Sequence, residues 1–435
     1  MLYITNGRIV DPVTGMDEVG DVALHDGMVV GAGSDLDIED VKAKYDVSDS
    51  DIEVIDATGL VVAPGLVDTH VHFRDPGFTS KEDIMTGAAA AKAGGFTTVV
   101  MMANTRPTID SVDTLAYCLE KGAETGIHVN SCANVTCGMM GEILTNMEKL
   151  VRAGAVGFTD DGIPLRNPEI VKEAMIRTRD LEVPISFHEE DPDYIENNGI
   201  NHGKASEYYH IGGSDRMAEI VMVERDLGLA LETGASIEIQ HISTKEAVEL
   251  VRKAKAKAAL GNIHAEATPH HFSLTEEAAI RYGSYAKMNP PLREEADRMA
   301  IIEGLADGTI DIIATDHAPH TTAEKKERKL TEAPSGIIGL ETSLALGITE
   351  LVHKGYLSMR TLLERMSYAP ASMYHFDAGY IAEGGPCDLV LFDENEKFTA
   401  GGYASKAENT PFTGMELTGR VHMTICGGKV VYKKV

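Results

Sequence analysis

Through the middle of the chain, short apolar runs end in polar tips and give way to helical stretches, again and again. The runs with their tips are LVDTHVH (66–72), TTVVMMAN (97–104), IHVNSCAN (127–134), AVGFTDD (155–161), VPISFHEED (183–191), SIEIQHIS (236–243), NIHAEATPHH (262–271) and DIIATDHAPH (311–320). Each predicts a buried strand. Most are separated by helical stretches such as Lys81 to Ala93, where Thr79-x-x-Glu82 reads as a capping box and Gly94 as the stop. The two ends of the chain differ. LYITNGRIVD, DVALHDGMVVGAG and IEVIDATGLVVAPG near the start, and CDLVLFD and TGRVHMTICGGKVVYKK near the end, predict strands without helices, with Gly427-Gly428 as a hairpin turn.

Eight strands alternating with helices over about 250 residues predict a (β/α)8 TIM-like barrel, an α/β fold whose reactive groups lie at the C-terminal ends of the strands. Residues 63–375 are its expected span, and 1–62 with 376–435 are expected to form one small composite β-sandwich domain from both termini. TTAEKKERKLTEAPSG (321–336), after the eighth strand, reads as a solvated loop or a lid.

Composition narrows the chemistry. With 68 acidic against 39 basic residues the net charge is −29, which repels nucleic-acid phosphates and anionic membranes. An anionic substrate therefore needs locally concentrated positive charge. No run approaches a membrane span and the first residues lack a signal-peptide pattern, so a cytoplasmic location is the default expectation. Five scattered cysteines without a CxxC pair read as reduced thiols.

In a strand, residues i and i+2 face one way, so His70 and His72 can both turn into the barrel mouth as ligands for a divalent metal. Alone that pair is weak evidence, but His188, His241 and Asp316 also stand at strand tips. Imidazole and carboxylate ligands with an open coordination position generate hydroxide near neutral pH, the basis of metal-dependent hydrolysis. The fourth tip offers Asp160 and Asp161 and no lysine; alternation lets only one of the two face a metal.

His-x-His, His, His and Asp on strands one, five, six and eight resemble the amidohydrolase superfamily. HVHFRDPG, ANTRP, FTDDG, MNPPLR, TDHAPH and GLET, in that order over most of the chain, closely resemble bacterial dihydroorotases with an aspartate metal bridge. The resemblance implies a zinc hydrolase, with two ions held by His70, His72, Asp161, His188, His241 and Asp316, and leaves Asp160 a supporting or turn role. It implies reversible cyclisation of N-carbamoyl-L-aspartate to L-dihydroorotate in de novo pyrimidine biosynthesis, by a metal-bound hydroxide with Asp316 as acid/base. Arg74 offers a planar fork for the substrate carboxylate. By resemblance His72, Asn104 and His320 also contact substrate, Asn289 meets the ring, and Ser335 and Gly336 contact it through their backbone, although relatives often carry an aromatic where Ser335 stands.

Bland readings compete for several of these. Arg74 could pair with Asp68 or Asp75, Asn104 and Asn289 could be turn residues, and His320 a loop histidine. His317, His270 and His271 read as structural. Dihydropyrimidinases, hydantoinases and allantoinases are the nearest alternative; their substrates lack the ring carboxylate, so Arg74 discriminates. A mononuclear deaminase has a similar ligand set, from which Asp161 separates this chain. A non-catalytic homologue would be expected to lose ligands. Homodimerisation and association with aspartate transcarbamoylase remain open.

Overall fold

The computed structural model describes residues 1–259 and 261–434. The first strands are β1 (Leu2–Val10), β2 (Asp17–His25), β3 (Met28–Gly33), β4 (Glu53–Asp56) and β5 (Val61–Pro64). The barrel strands follow: β6 (Leu66–Val71), β7 (Phe96–Met101), β8 (His128–Ser131), β9 (Ile185–Phe187), β10 (Ile237–Ile239), β11 (Ile263–Ala267) and β12 (Ile312–Ile313). The chain ends with β13 (Leu389–Thr399), β14 (Glu416–Cys426) and β15 (Lys429–Lys433).

β6, β7 and β8 form one parallel sheet and β9 to β12 another. The expected fourth strand bridges them with little regular structure of its own. Phe158 pairs in parallel with both Ala133 and Ile185, and ladder bonds run on both sides, from Thr159 N–H to Ala133 O (2.9 Å) and from Ser186 N–H to Phe158 O (3.0 Å). The segment is cut short because Asp160 turns back to accept from the backbone N–H groups of Val135 and Thr136. A parallel bridge between Val71 and His317 closes the circle. The barrel expectation holds.

β1 to β5 and β13 to β15 hydrogen-bond into one eight-stranded sheet, with β5 lying between β1 and β13. Alternation along its strands serves two cores. Val62, Leu389 and Leu391 point into the sheet's own core with Ile4, Ile9 and Leu24, while Val61, Ala63, Val390 and Phe392 pack on the barrel. The sheet curls over that inner core until Val29 N–H reaches Gly385 O at 2.9 Å. Gly427 and Gly428, at φ of 56° and 74°, make the β14–β15 hairpin as read, a conformation glycine adopts without steric cost.

Two local expectations are corrected. The first barrel helix runs Ile84–Ala93, and its capping box joins Asp83 to Thr86. Glu82 is instead fully buried, accepting from Thr86 Oγ1, Ser405 Oγ and the Lys406 N–H; a carboxylate so engaged has no oxygen left to cap the helix. The 321–336 segment is not simply a solvated loop. It carries a helix, Thr322–Lys326, and Lys325 within it is only 1 % exposed. No described helix is long and apolar enough to cross a membrane.

Candidate active site

A cavity of about 360 Å³ opens at the C-terminal ends of the barrel strands. His72, Asp161, His188, His241 and Asp316 line it, with Arg74, Asn104, Asn289, Ser335 and Gly336. His70 lies just beneath, wholly buried. Arg74, His241 and Asp316 all have left-handed backbone, with φ of 60°, 33° and 46°. Non-glycine residues adopt that region at a cost of about 1–3 kcal/mol each, and here it turns three functional side chains at strand ends into one space.

The Asp161 carboxylate sits between two groups of imidazoles. Its Oδ1 is 3.4 Å from His70 Nε2 and 3.7 Å from both His188 Nδ1 and His241 Nε2; its Oδ2 is 3.4 Å from His72 Nε2. Asp316 Oδ1 lies 2.9 Å from His72 Nε2 and 3.5 Å from His70 Nε2. Burial would raise the Asp161 carboxyl, but the histidines around it hold it well below the ordinary carboxylate range. Asp316 is likewise held down against burial, by His72 and His70.

Outer hydrogen bonds determine which ring nitrogens face inward. His70 Nδ1 lies 3.1 Å from Glu266 Oε1, His72 Nδ1 is 3.0 Å from Asn104 Oδ1, and His188 Nε2 is 3.1 Å from Glu190 Oε2. With those nitrogens donating outward, His70 Nε2, His72 Nε2 and His188 Nδ1 present lone pairs to carboxylate oxygens. His70 Nε2 is buried with no hydrogen-bond partner, and His188 Nδ1 comes within 3.0 Å of His241 Nε2. Converging lone pairs and carboxylates need a cation between them. The donor set fits a divalent metal: ligand atoms of His70, His72 and Asp316 lie together, as do those of His70, Asp161 and His241, with His188 against His241.

Across the cavity the electrostatics reverse. Asp75 is taken by Tyr117 and Lys121, each at 2.9 Å, and Asp68 accepts from the N–H groups of His70 and Thr315. Neither pairs with Arg74. The guanidinium donates to Pro319 O at 3.2 Å and lies 3.4 Å from His320 Nε2, with no carboxylate in contact among the described residues. Burial lowers its pKa, yet a guanidinium stays charged. His320 is kept neutral, first by burial and then by Arg74, and its Nε2 is 2.9 Å from Ser335 O.

Other expected residues occupy plainer places. Asn289 reaches His188 with its Nδ2, 3.4 Å away, and Asn104 Nδ2 donates to Asp161 at 3.2 Å. The Gly336 N–H donates to Lys287 O and its carbonyl accepts from Asn409, while Ser335 Oγ donates to Asn198. Asp160 anchors its turn, His317 Nδ1 accepts from the Gly339 N–H, and His271 lies between Thr268 and Pro290 O. Sequence reading missed Glu266 and Glu190. Glu266 had a signal, as an acidic residue alternating with Ile263, Ala265 and Ala267 along β11.

A family model described as dihydro-orotase-like matches residues 59–247. The chain is 52 % identical to a dihydroorotase of Clostridioides difficile strain 630, over 99 % of this chain and 100 % of that relative. It is 51 % identical to a dihydroorotase of Streptococcus pneumoniae serotype 4, over the full length of both. Among solved structures, an L-hydantoinase (dihydropyrimidinase) from Arthrobacter aurescens superposes with a TM-score of 0.86 at 26 % identity, covering 100 % of this chain and 96 % of that one. Identity of this order across whole chains places the protein, a metal-dependent cyclic amidohydrolase by fold and kinship, in the dihydroorotase family.

Proposed function

We propose that this chain interconverts N-carbamoyl-L-aspartate and L-dihydroorotate, the ring-closing step of de novo pyrimidine synthesis. One observation carries the reading: a half-buried guanidinium with no carboxylate in contact among the described residues, Arg74, faces the candidate metal ligands across one cavity. A hydantoin or dihydrouracil ring has a carbonyl for the cluster but no carboxylate for Arg74. Dihydroorotate has both.

His70, His72, Asp161, His188, His241 and Asp316 would hold two zinc ions. Such ions supply Lewis acidity, polarising the ring carbonyl and lowering the pKa of water. Arg74 grips the substrate carboxylate as a fork, with Asn104 and His320 beside it, and Asn289, Ser335 and Gly336 bound the ring. Asp316, ionised in its histidine surroundings, accepts a proton from the attacking water and delivers it to the departing ring nitrogen. In the reverse direction it returns that proton to the leaving water. Ring closure consumes one proton overall, since a dicarboxylate becomes a monocarboxylate, so acid favours dihydroorotate.

Metal analysis joined to absorbance-monitored hydrolysis of L-dihydroorotate tests the reading. Two ions per chain with turnover are expected; two ions with faster turnover of hydantoin or dihydrouracil would reassign the substrate. The terminal sheet and the barrel are proposed as two units. The expected border after residue 62 cuts β5, and the end of that strand at Pro64 is the better division. A homodimer, an assembly with aspartate transcarbamoylase and a cytoplasmic location belong to the same proposal; sedimentation with and without that partner checks the first two.

A further inference from the structure

Two lysines beside the cavity are buried without a carboxylate in contact among the described residues: Lys287, 4 % exposed, and Lys325, 1 % exposed. Their bonds cross. Lys287 Nζ donates to Leu330 O (3.0 Å) and Ala333 O (2.7 Å), while Lys325 Nζ donates to Ser284 O (2.9 Å) and Pro334 O (2.8 Å). Ser284 Oγ donates back to Lys325 O at 2.5 Å, and the Gly336 N–H donates to Lys287 O at 2.9 Å. Residues 284–287 and 325–336 are thus tied from both sides. What they hold is a wall, because Ala333, Pro334, Ser335 and Gly336 line the cavity and Ser335 O lies against His320, Arg74's neighbour. A buried ammonium is costly, and nearby solvent would satisfy it at less cost. Bonds from the two lysines to carbonyls tie the loop at four points, and charge-assisted ones are about twice as strong as neutral ones.

We propose that Lys287 and Lys325 are positioning residues, a crossed clamp that holds the 330–336 wall against the Arg74 side of the cavity and so closes the carboxylate subsite around its ligand. The proposal rests on the assignment of that cavity to a carboxylate-bearing substrate.

The clamp has a built-in pH dependence. Burial, then the charges of Lys287 and Arg74, push Lys325 down to about 7, and burial lowers Lys287 as well. The ionisable groups facing Lys325 are Arg74 and Lys81 from the loop after β6, Lys287, His320, and Glu324 on its own helix, whose carboxylate is already paired with Lys81 at 2.9 Å. Opening the wall returns Lys325 to solvent and to its ordinary pKa, so the closed wall disfavours the ammonium; a neutral amine still donates to both carbonyls. The wall is therefore held more firmly as pH rises through 7 and loosens below it.

Lys287→Met, Lys325→Met and the double variant, each compared with the intact chain, test the clamp by hydrogen exchange and steady-state kinetics. Expected are roughly tenfold faster exchange of amides 330–336, a KM for dihydroorotate raised roughly tenfold with kcat within about threefold, and a double variant little worse than the worse single one. Unchanged protection of 330–336, or faster exchange with KM intact, overturns the proposal. If the variants misfold, the native chain decides: protection of 330–336 relative to the helix Glu295–Asp307 should rise between about pH 6 and 8.5, and a flat or falling profile overturns the clamp. A native chain inactive on dihydroorotate would sink the assigned reaction, while the exchange data would still decide the clamp.

Discussion

The two sides of the cavity are opposites in what they lack. On one, imidazoles and carboxylates crowd together within 3 to 4 Å, and no lysine or arginine contacts them among the described residues. On the other, half-buried Arg74 and buried Lys287 and Lys325 have no anion in contact among the described residues. Neither side is electrostatically complete alone. On the proposed reading, a protein of net charge −29 takes an anionic substrate because metal ions would balance the first side and the substrate carboxylate the second.

The contrast can be broken in order of expected effect. On the proposed mechanism Asp316 serves both metal and proton, so Asp316→Ala should reduce turnover by about 10³-fold or more in both directions; near-native rates would remove Asp316 as acid/base. Arg74→Met should act on one side only, raising KM by up to about 100-fold at unchanged metal content. Metal loss in that variant, measured by elemental analysis, would make Arg74 structural. Glu266→Gln tests the other side alone, and metal affinity should weaken about 10- to 100-fold because His70 loses its anionic orienter. Competition with a chelator reads this directly, and unchanged affinity would show the Glu266 contact to be incidental. The smallest effect is Thr321→Ala. It deletes the side-chain cap of the Thr322–Lys326 helix, worth ~1 kcal/mol, and should lower thermal stability slightly with metal content untouched.

The first side was far more legible in the sequence than the second. The candidate metal ligands sit at strand tips, where period-two alternation and the return of an apolar run announce them, so His70, His72, His188, His241 and Asp316 could be read together as a converging set, though none carried the reading alone. Asp161 needed the resemblance to separate it from Asp160, and the structure places Asp160 in the turn as expected. The orienters Glu266 and Glu190 were unread because their partners are histidines whose outer nitrogen no spacing reveals. Lys287 and Lys325 were invisible for a different reason. Their acceptors are backbone carbonyls, which every residue possesses, and in a stretch as charged as TTAEKKERKLTEAPSG nothing distinguishes the one lysine that folds inward. Glu82 misled for the same cause, its true partners Ser405 and Lys406 lying more than three hundred positions away.

β5 lies between β1, made first, and β13, made near the end of synthesis. On the ribosome the whole barrel emerges while that strand still has an open edge, an invitation to foreign strands until the last segment arrives. A chain stopped before residue 389 would carry a complete metal centre and an unguarded sheet edge, so premature termination should appear as aggregation before it appears as lost chemistry.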